Sequence, residues 1–552
     1  MNGADVIAKI LKKEGVEFLI AYPVNPIIEA AAKESIRTII VRQERPGLHI
    51  ADAVSRLSSG RKIGVFAMQW GPGAENAFGG VAQAYGDSVP IVVLAGGNSR
   101  EVLNIQPNFS AALNYRHITK YVEQIILTKT VPDVMRRAFT QVRNGRPGPA
   151  LLEIPRDILG DTFPDNTFNY EPTFSTRVAP DLQAVQTVAR VLVKAKRPVL
   201  YAGQGIHYAQ AWQELRDLAE ILAAPVMTSI QGKSAFPENH PLSLGSGGRC
   251  VPKTVSHFLQ SSDVILGIGC SFSKGLCSTI IPQGKVIIHC TLDTLDLNKD
   301  IAADYALIGD AKLSLGVLIS EVKRLLKKSR NDALSHVTAE VAKVKSEWMA
   351  EWLPKLTSNE TPLNPYRVIW DLMHTVDRKN TIITHDAGSP RDQMTPFWES
   401  INPLSYIGWG QTTHLGFGLG LAMGAKLVEP KKLCINVMGD AAIGMTGMDF
   451  ETAVREHLPI LTIVMNNFSM ACEIPIMQVS TEKYRSTDIS GNYADMAKAF
   501  GGYGERVTRP EEIVPAIKRA IKKTEEGLPV LLEFITAKEI AVSLQQTVRQ
   551  NK

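Results

Sequence analysis

Residues 432–469 read KLCINVMGDAAIGMTGMDFETAVREHLPILTIVMNNFS. An apolar run, KLCINVM, ends at Gly439 and Asp440. A helical stretch follows, with Met448, Thr452 and Val454 as inward positions. A second apolar run, PILTIVM, ends at Asn466 and Asn467. Strand, helix and strand in this order predict one βαβ unit. Its right-handed crossover puts both strand ends on one edge of a parallel sheet. Neighbouring strands lie ~4.8 Å apart, so Asp440 and Asn467 are expected to face one point in space.

A carboxylate and an amide oxygen meeting at a strand edge suit a hard cation such as Mg²⁺, which takes oxygen ligands and shares its sphere with phosphates. Gly439, Ala441 and Ala442 are small enough to let main-chain N–H groups approach a phosphate at a helix start. Gly-Asp alone reads as a structural turn. The paired asparagines at the next strand end favour a site.

The same alternation extends outward over the 552 residues. FLIAY, RTIIV, KIGVFAM, PIVVLAG and ALLEI are strand candidates in the first block. PVLYAG, APVMTS, VILGIG and KVIIHC follow in a second, which ends near LGVLISEVKRLLKK, 315–328. TIITHD, SYIGWG, KLCINVMGD, PILTIVMNN and PVLLEFI form a third. Helical patterns between them predict an α/β fold of three doubly wound parallel-sheet domains, at 1–165, 181–330 and 360–552. The stretch 163–180 lacks periodicity and reads as a linker; a charged helical segment at about 331–358 leads to the third block.

Hydrophobic residues make up 45 %, charged residues 21 %, and net charge is +5. The charges are interspersed, which argues against nucleic acid or a membrane surface as partner. No apolar run approaches the ~20 residues of a membrane span. Six scattered cysteines without a CxxC pair read as reduced core thiols of a cytoplasmic protein. The start, MNGADVIAKILKKEGVEF, reads as an amphipathic helix and not a signal peptide.

The segment GDAAIGMTGMDFETAVREHLPI with its following NN resembles the thiamine-diphosphate signature of the acetolactate synthase and pyruvate decarboxylase superfamily. That signature begins GDG, with Ala441 here at the third position. The resemblance implies Asp440, Asn467 and the main-chain oxygen of Ser469 as Mg²⁺ ligands, with Met470, Ala471 and Cys472 beside the cofactor. It implies pyrimidine-binding, central Rossmann-like and diphosphate-binding domains.

RQERPGLHIADAVSRLSSGRKIGVFAMQWGPGAEN, 42–76, is similar to the family's RHE…GPGATN, with Gln43 replacing the histidine. Alone, Glu44 reads as a solvated first-turn residue. By resemblance it is the buried carboxyl group at the aminopyrimidine, and burial raises such a pKa. Pro23, Gly71, Pro72, Gly73 and Asn76 are the accompanying ring contacts. HDAGSP, 385–390, is similar to the family's D-x-G-Q-H, which makes Gly388 and Ser389 diphosphate contacts. TTHLGFGLGLAMGAK, 412–426, resembles G-T-M-G-F-G-L and adds Thr413, His414 and Leu415. Leu415 is either the apolar wedge under the bent cofactor or a core leucine.

Gly203 and Gly205 follow a strand, but Tyr208 stands where GxGxxG needs its third glycine. The family's flavin-binding Arg-Phe-Asp-Asp-Arg reads CSFSKG here, and its G-M-H-G reads GSGGRC, 245–250. These departures argue against FAD. ADP, the ADP part of a CoA thioester, or an empty scaffold remain open for the central domain.

The resemblance implies cleavage or formation of a C–C bond beside a carbonyl, by a homodimer or homotetramer acting on a 2-oxo acid. Departures keep other readings open. Ser110 replaces a family glutamine, and MACEIPIM replaces the run carrying the acetolactate synthase tryptophan. Glu473 stands where pyruvate decarboxylases carry a proton-transferring glutamate, although a solvated acid is the plainer reading. Of the decarboxylase relay only His117 is visible, and Asn25 occupies the family's N-terminal acidic position. Alternatives are a 2-hydroxyacyl-CoA lyase or oxalyl-CoA decarboxylase-like enzyme with an acyl-CoA substrate, and a catalytically silent cofactor-binding homologue.

Overall fold

In a computed structural model, residues 1–23, 25–103, 105–164, 167–326 and 330–545 are described. Val24 of YPVNP, the boundary expected at 165, the end of the second block near 328 and the C-terminus at 552 lie outside them. Three six-stranded parallel sheets carry the fold, each with helices around it. In the first, the order is Arg37–Ile40, Phe18–Ala21, Gly64–Met68, Ile91–Gly97, Ala150–Pro155, Tyr121–Gln124. The second runs Tyr305–Ile308, Val286–Thr291, Val264–Ile268, Pro198–Ala202, Val226–Thr228, Ser243–Ser246. The third runs Tyr406–Ile407, Thr381–His385, Leu433–Gly439, Leu461–Asn466, Val530–Ile535, Tyr503–Val507. Inner strands such as Gly64–Met68 and Ile91–Gly97 are buried throughout. Covering both faces of a parallel sheet explains their unbroken apolar sequence.

The first and third sheets share one core. Helix Glu44–Leu57 packs on helix Phe417–Val428, so Leu48, Ile50 and Ala53 join Phe417, Leu421 and Met423 in a single cluster. A polar stripe, Arg45, His49, Asp52 and Arg56, also runs along the first helix. Arg56 is buried and donates to Asp52 at 2.5 Å, to Asp87 at 2.9 Å and to the Gly408 carbonyl at 3.0 Å. Two carboxylates and a carbonyl thus offset the desolvation of one guanidinium, as a buried charge requires.

Two sequence expectations need correction. Met448 is 53 % exposed, not inward. The helix Asp440–Thr446 stops, and a 3₁₀ turn over Gly447–Asp449 resets the phase before Phe450–Arg455. Ile443, Phe450 and Ala453 therefore fill the inward positions, beside the expected Thr452. Five cysteines are buried, but Cys472 is exposed. The expected linker has no helix or strand over 168–180 and is mostly exposed there, but its start is anchored. Phe163 and Tyr170 are buried in the first domain, where the Tyr170 hydroxyl donates to Glu14 at 2.5 Å. No helix among the described residues is long and apolar enough to cross a membrane.

Candidate functional site

The strands Leu433–Gly439 and Leu461–Asn466 are parallel neighbours, with Gly439 opposite Met465. Their C-terminal ends bring the Asp440 and Asn467 loops together. Ser469 N–H donates to Asp440 Oδ2 at 3.1 Å and to Asn467 Oδ1 at 3.0 Å. Burial raises the Asp440 pKa, and main-chain N–H groups of Ala441, Ser469, Asn467 and Phe468 hold it back. Asn466 serves the strand end, donating to Glu533 at 2.7 Å and accepting from Phe468 N–H at 3.0 Å. No group of three His, Cys, Asp or Glu placed to hold a metal ion occurs among the described residues. The Asp440 set instead combines a carboxylate, an amide oxygen and a nearby main chain. Such hard oxygen donors fit Mg²⁺ and do not favour a soft metal.

Next to this loop, Ser389 Oγ lies 2.8 Å from Cys472 Sγ. Ser389 begins the helix Ser389–Phe397 after Gly388, whose φ of +81° is the left-handed region suited to glycine. Asp386, before this turn, is fully buried. Its Oδ1 accepts from Ala387 N–H at 2.8 Å and from Gly416 N–H at 2.9 Å, and its Oδ2 from Gly418 N–H at 2.9 Å. One carboxylate therefore joins the turn bearing Gly388 and Ser389 to the helix start behind Thr413, His414 and Leu415. Leu415 is partly buried against the shared core. Burial pushes Asp386 up to about 6 despite the three donors and the nearby Arg45.

On the first domain, Glu44 is buried at the start of its helix. Desolvation raises its pKa; its main-chain hydrogen bond and the Asn76 side chain oppose the shift. A Cβ on Gly73 would stand 3.3 Å from Glu44 Oε1 and 2.9 Å from Gln69 Cγ, so glycine is what permits this close approach. Glu44, Gln43, Gln69, Pro72 and Asn76 line an open cavity of about 520 Å³, with Met445, Thr446, Met448 and Asp449 of the third domain on its other side. Gly71 precedes the helix Pro72–Gly86, with φ of +58°. Pro23 is exposed, while its neighbour Tyr22 lines the cavity.

The structure thus forms two groups: Glu44 with Gly73 and Asn76, and Asp440 with Asn467 and Ser469, the latter near Ser389 and Cys472. No hydrogen bond or ion pair joins the two groups among the described residues. Glu473 lies in the short 3₁₀ turn Ala471–Glu473, half-buried, and its carboxyl group makes no hydrogen bond among the described residues. His117 is exposed. Asn25 caps the helix Pro26–Lys33 and donates to the Met68 carbonyl at 3.0 Å. Ser110 caps a short helix and donates to buried Glu153 at 2.9 Å. Sequence reasoning missed Asp386, Arg45 and Asp449. Only the D of D-x-G-x-x carries a local signal, since the other two act across domains.

A second cavity of about 560 Å³ opens in the central domain. Strand-end residues Gly205, Cys270, Ser271 and Asp310 line it, with Arg61 and Arg146 contributed by the first domain.

Comparison with known proteins agrees with this layout. The chain matches the N-terminal TPP binding domain of thiamine pyrophosphate enzymes over residues 1–120, their central domain over 185–318 and their C-terminal TPP binding domain over 386–534. It is 30 % identical to the "Probable acetolactate synthase large subunit" of Methanococcus aeolicus, over 99 % of this chain and 93 % of that one. It is 29 % identical to the protein of the same description from Methanocaldococcus jannaschii, over 97 % and 92 %. Against the acetolactate synthase isozyme 3 large subunit of Escherichia coli, identity is 26 % over 97 % and 94 %. With three parallel-sheet domains matched in order and near-complete coverage by such relatives, the chain belongs to the thiamine pyrophosphate enzyme family, as a thiamine-diphosphate-dependent enzyme of decarboxylase and carboligase type.

Proposed function

We propose that the protein cleaves or forms a C–C bond beside the carbonyl of a 2-oxo acid, with Mg²⁺ as the second cofactor. The observation that carries this reading is Glu44: a buried carboxyl group of raised pKa, in contact with Gly73 and Asn76 at a cavity wall. Thiamine diphosphate, when bound, supplies a carbon nucleophile and electron sink. The chain's own residues supply the rest. Glu44 would hold a proton at its carboxyl group beside the pyrimidine ring, and burial, which raises its pKa, favours that protonated form. Asp440, Asn467 and the Ser469 main chain would hold Mg²⁺, and Ser389 would donate to the diphosphate. Gly439, Ala441, Ala442, Met470, Ala471 and Cys472 wall the same loop. Leu415 would support the cofactor from the shared core. Glu473, half-buried with no hydrogen-bond partner among the described residues, is free to move a proton at the reacting carbon.

Because Glu44 and the Asp440 loop form separate groups in one chain, we assign the complete site to two copies. Exposed Met445, Met448 and Phe78 give this face the apolar surface an interface requires. A second reading, an acyl-CoA substrate, is favoured by the central cavity, whose volume and mixed arginine and strand-end lining suit the ADP part of a CoA thioester.

The test is Glu44→Gln, assayed for CO₂ release and ligated product with thiamine diphosphate, Mg²⁺ and a panel of 2-oxo acids. Wild-type turnover with loss in the variant is expected. Unchanged turnover in the variant refutes the assignment, and no product from any acid by the wild type leaves the acyl-CoA or silent-homologue reading in its place.

A further inference from the structure

Residues 42–45 span the turn after the strand Arg37–Ile40 and the first residues of the helix that Glu44 begins. The third domain grips this turn on both flanks. On one side, the Arg42 main-chain N–H donates to Asp449 Oδ1 at 2.8 Å. Asp449 is buried and is fixed in turn by the Thr452 hydroxyl at 2.8 Å. On the other side, Arg45 Nη1 lies 2.8 Å from His414 Nε2. A guanidinium can only donate, so His414 Nε2 accepts and the ring proton sits on Nδ1. Arg45 and burial both lower the His414 pKa, and a hydrogen bond to the Gly79 main chain opposes them. The neutral ring is therefore the form present at pH 7. Arg455 reinforces the first flank, donating to the Ile40 carbonyl at 2.5 Å.

We propose that Asp449 and His414 are positioning residues for Glu44, holding the turn 42–45 from the third domain so that the carboxyl group keeps its place on the cavity wall. The inference rests on the reading of Glu44 given above. Neither residue needs to touch the reacting atoms. The helix start at Gln43 has no side-chain cap of its own, so the turn takes its support from across the domain boundary. The polarity of the two grips is complementary. A carboxylate takes a main-chain donor before Glu44, and an imidazole takes a side-chain donor after it. Both leave the Glu44 carboxyl group free of a cationic partner, which preserves its raised pKa.

The test compares Asp449→Ala with Asp449→Asn, whose amide oxygen can still accept from the Arg42 N–H. Loss of the grip should lower kcat by about 10- to 100-fold, the cost of displacing a reacting group by ~1 Å. KM and cofactor affinity, the latter read by tryptophan fluorescence, should stay within about threefold. Asp449→Asn should recover most of kcat. Amide hydrogen exchange at Arg42 in the cofactor-free protein gives a readout independent of activity: protection should fall in Asp449→Ala and persist in Asp449→Asn. Should Asp449→Ala fail to fold, His414→Ala breaks the other flank and should lower kcat, whereas His414→Gln, whose amide oxygen can still accept from Arg45, should recover most of it. Full kcat and full Arg42 protection in Asp449→Ala, or a failure of Asp449→Asn to rescue, overturns the proposal. If Glu44→Gln itself retains turnover, the functional reading fails instead, and the exchange result still decides whether the grip exists.

Discussion

Asp386→Asn separates stability from cofactor binding. The wild-type carboxylate is fully buried and accepts three main-chain donors, from Ala387, Gly416 and Gly418. An asparagine oxygen in the Oδ1 place keeps the first two. Its amide N–H₂ then faces the Gly418 N–H, and two buried donors go unpaired at roughly 1–3 kcal/mol each. The opposing effect is of similar size. Asp386 sits at about 6, against 3.8 for the free side chain, so at pH 7 the ionised form costs about 3 kcal/mol that the amide avoids. The two effects largely offset each other, and the stability change by urea unfolding should be within about 3 kcal/mol. Cofactor affinity has no such compensation. Freeing Gly418 loosens the helix start behind Leu415 while the Ser389 turn stays fixed, and affinity at pH 8 should drop by about tenfold, or 1.4 kcal/mol. The pH dependence has a definite sign. The folded-state pKa lies above the unfolded one, so the ionisation penalty is absent below about 4 and grows as pH rises through 6. Below 6 the wild-type side chain is itself a neutral donor and acceptor, so its affinity advantage over Asp386→Asn should vanish there. Taking the ratio of the two proteins removes titration of the cofactor's own phosphate. A ratio independent of pH, or a stability loss above about 4 kcal/mol, would refute this account of the carboxylate.

Three further outcomes follow from the same geometry. Gly73→Ala puts a methyl group 3.3 Å from Glu44 Oε1 and 2.9 Å from Gln69 Cγ, and should lower kcat by about tenfold with the unfolding midpoint nearly unchanged. Asp440→Ala should abolish the Mg²⁺ dependence of cofactor binding in equilibrium dialysis, as EDTA should for the wild type; retained Mg²⁺-dependent binding would place the metal elsewhere. Leu415→Ala, at a partly buried position, should cost about 1–2 kcal/mol of stability, less than a fully buried leucine, yet weaken cofactor binding measured by fluorescence quenching. Equal small effects on both would assign Leu415 to the core alone.

Local sequence made much of this molecule legible because the decisive contacts are local in the sheet. Asp440 and Asn467 lie at the ends of strands that are parallel neighbours, and a βαβ unit fixes that arrangement by chain connectivity. Periodicity was a poorer guide where a helix changes type. Met448 fits an inward helical position only if the helix runs unbroken from Asp440, and the 3₁₀ turn at Gly447–Asp449 turns it outward. SYIGWG reads as a strand, but only Tyr406–Ile407 pairs, at the sheet edge. The stretch at 163–180 is the linker its lack of periodicity indicated, and the anchoring of its start by Phe163 and Tyr170 is the part periodicity could not show.

The grip on Glu44 was illegible for a different physical reason. Arg42 and Asp449 are 407 positions apart, and Arg45 and His414 are 369 apart. One member of the first pair is a main-chain N–H, which every residue except proline possesses, so no side-chain pattern can mark it. The second pair joins an arginine to a neutral histidine, and charge complementarity gives no hint of it. What the sequence does carry is the motif at each end, which marks Glu44 and the Asp440 loop separately. The docking of the two helices turns these marks into geometry. Arg56 is paired with Asp52 and Asp87 of its own domain, and it also donates across the boundary to the Gly408 carbonyl at 3.0 Å, so sliding the helices would break a buried hydrogen bond to a charged group. The polar stripe on Glu44–Leu57 therefore resists a change of register between the domains. Glu44, the first residue of that helix, is carried with it.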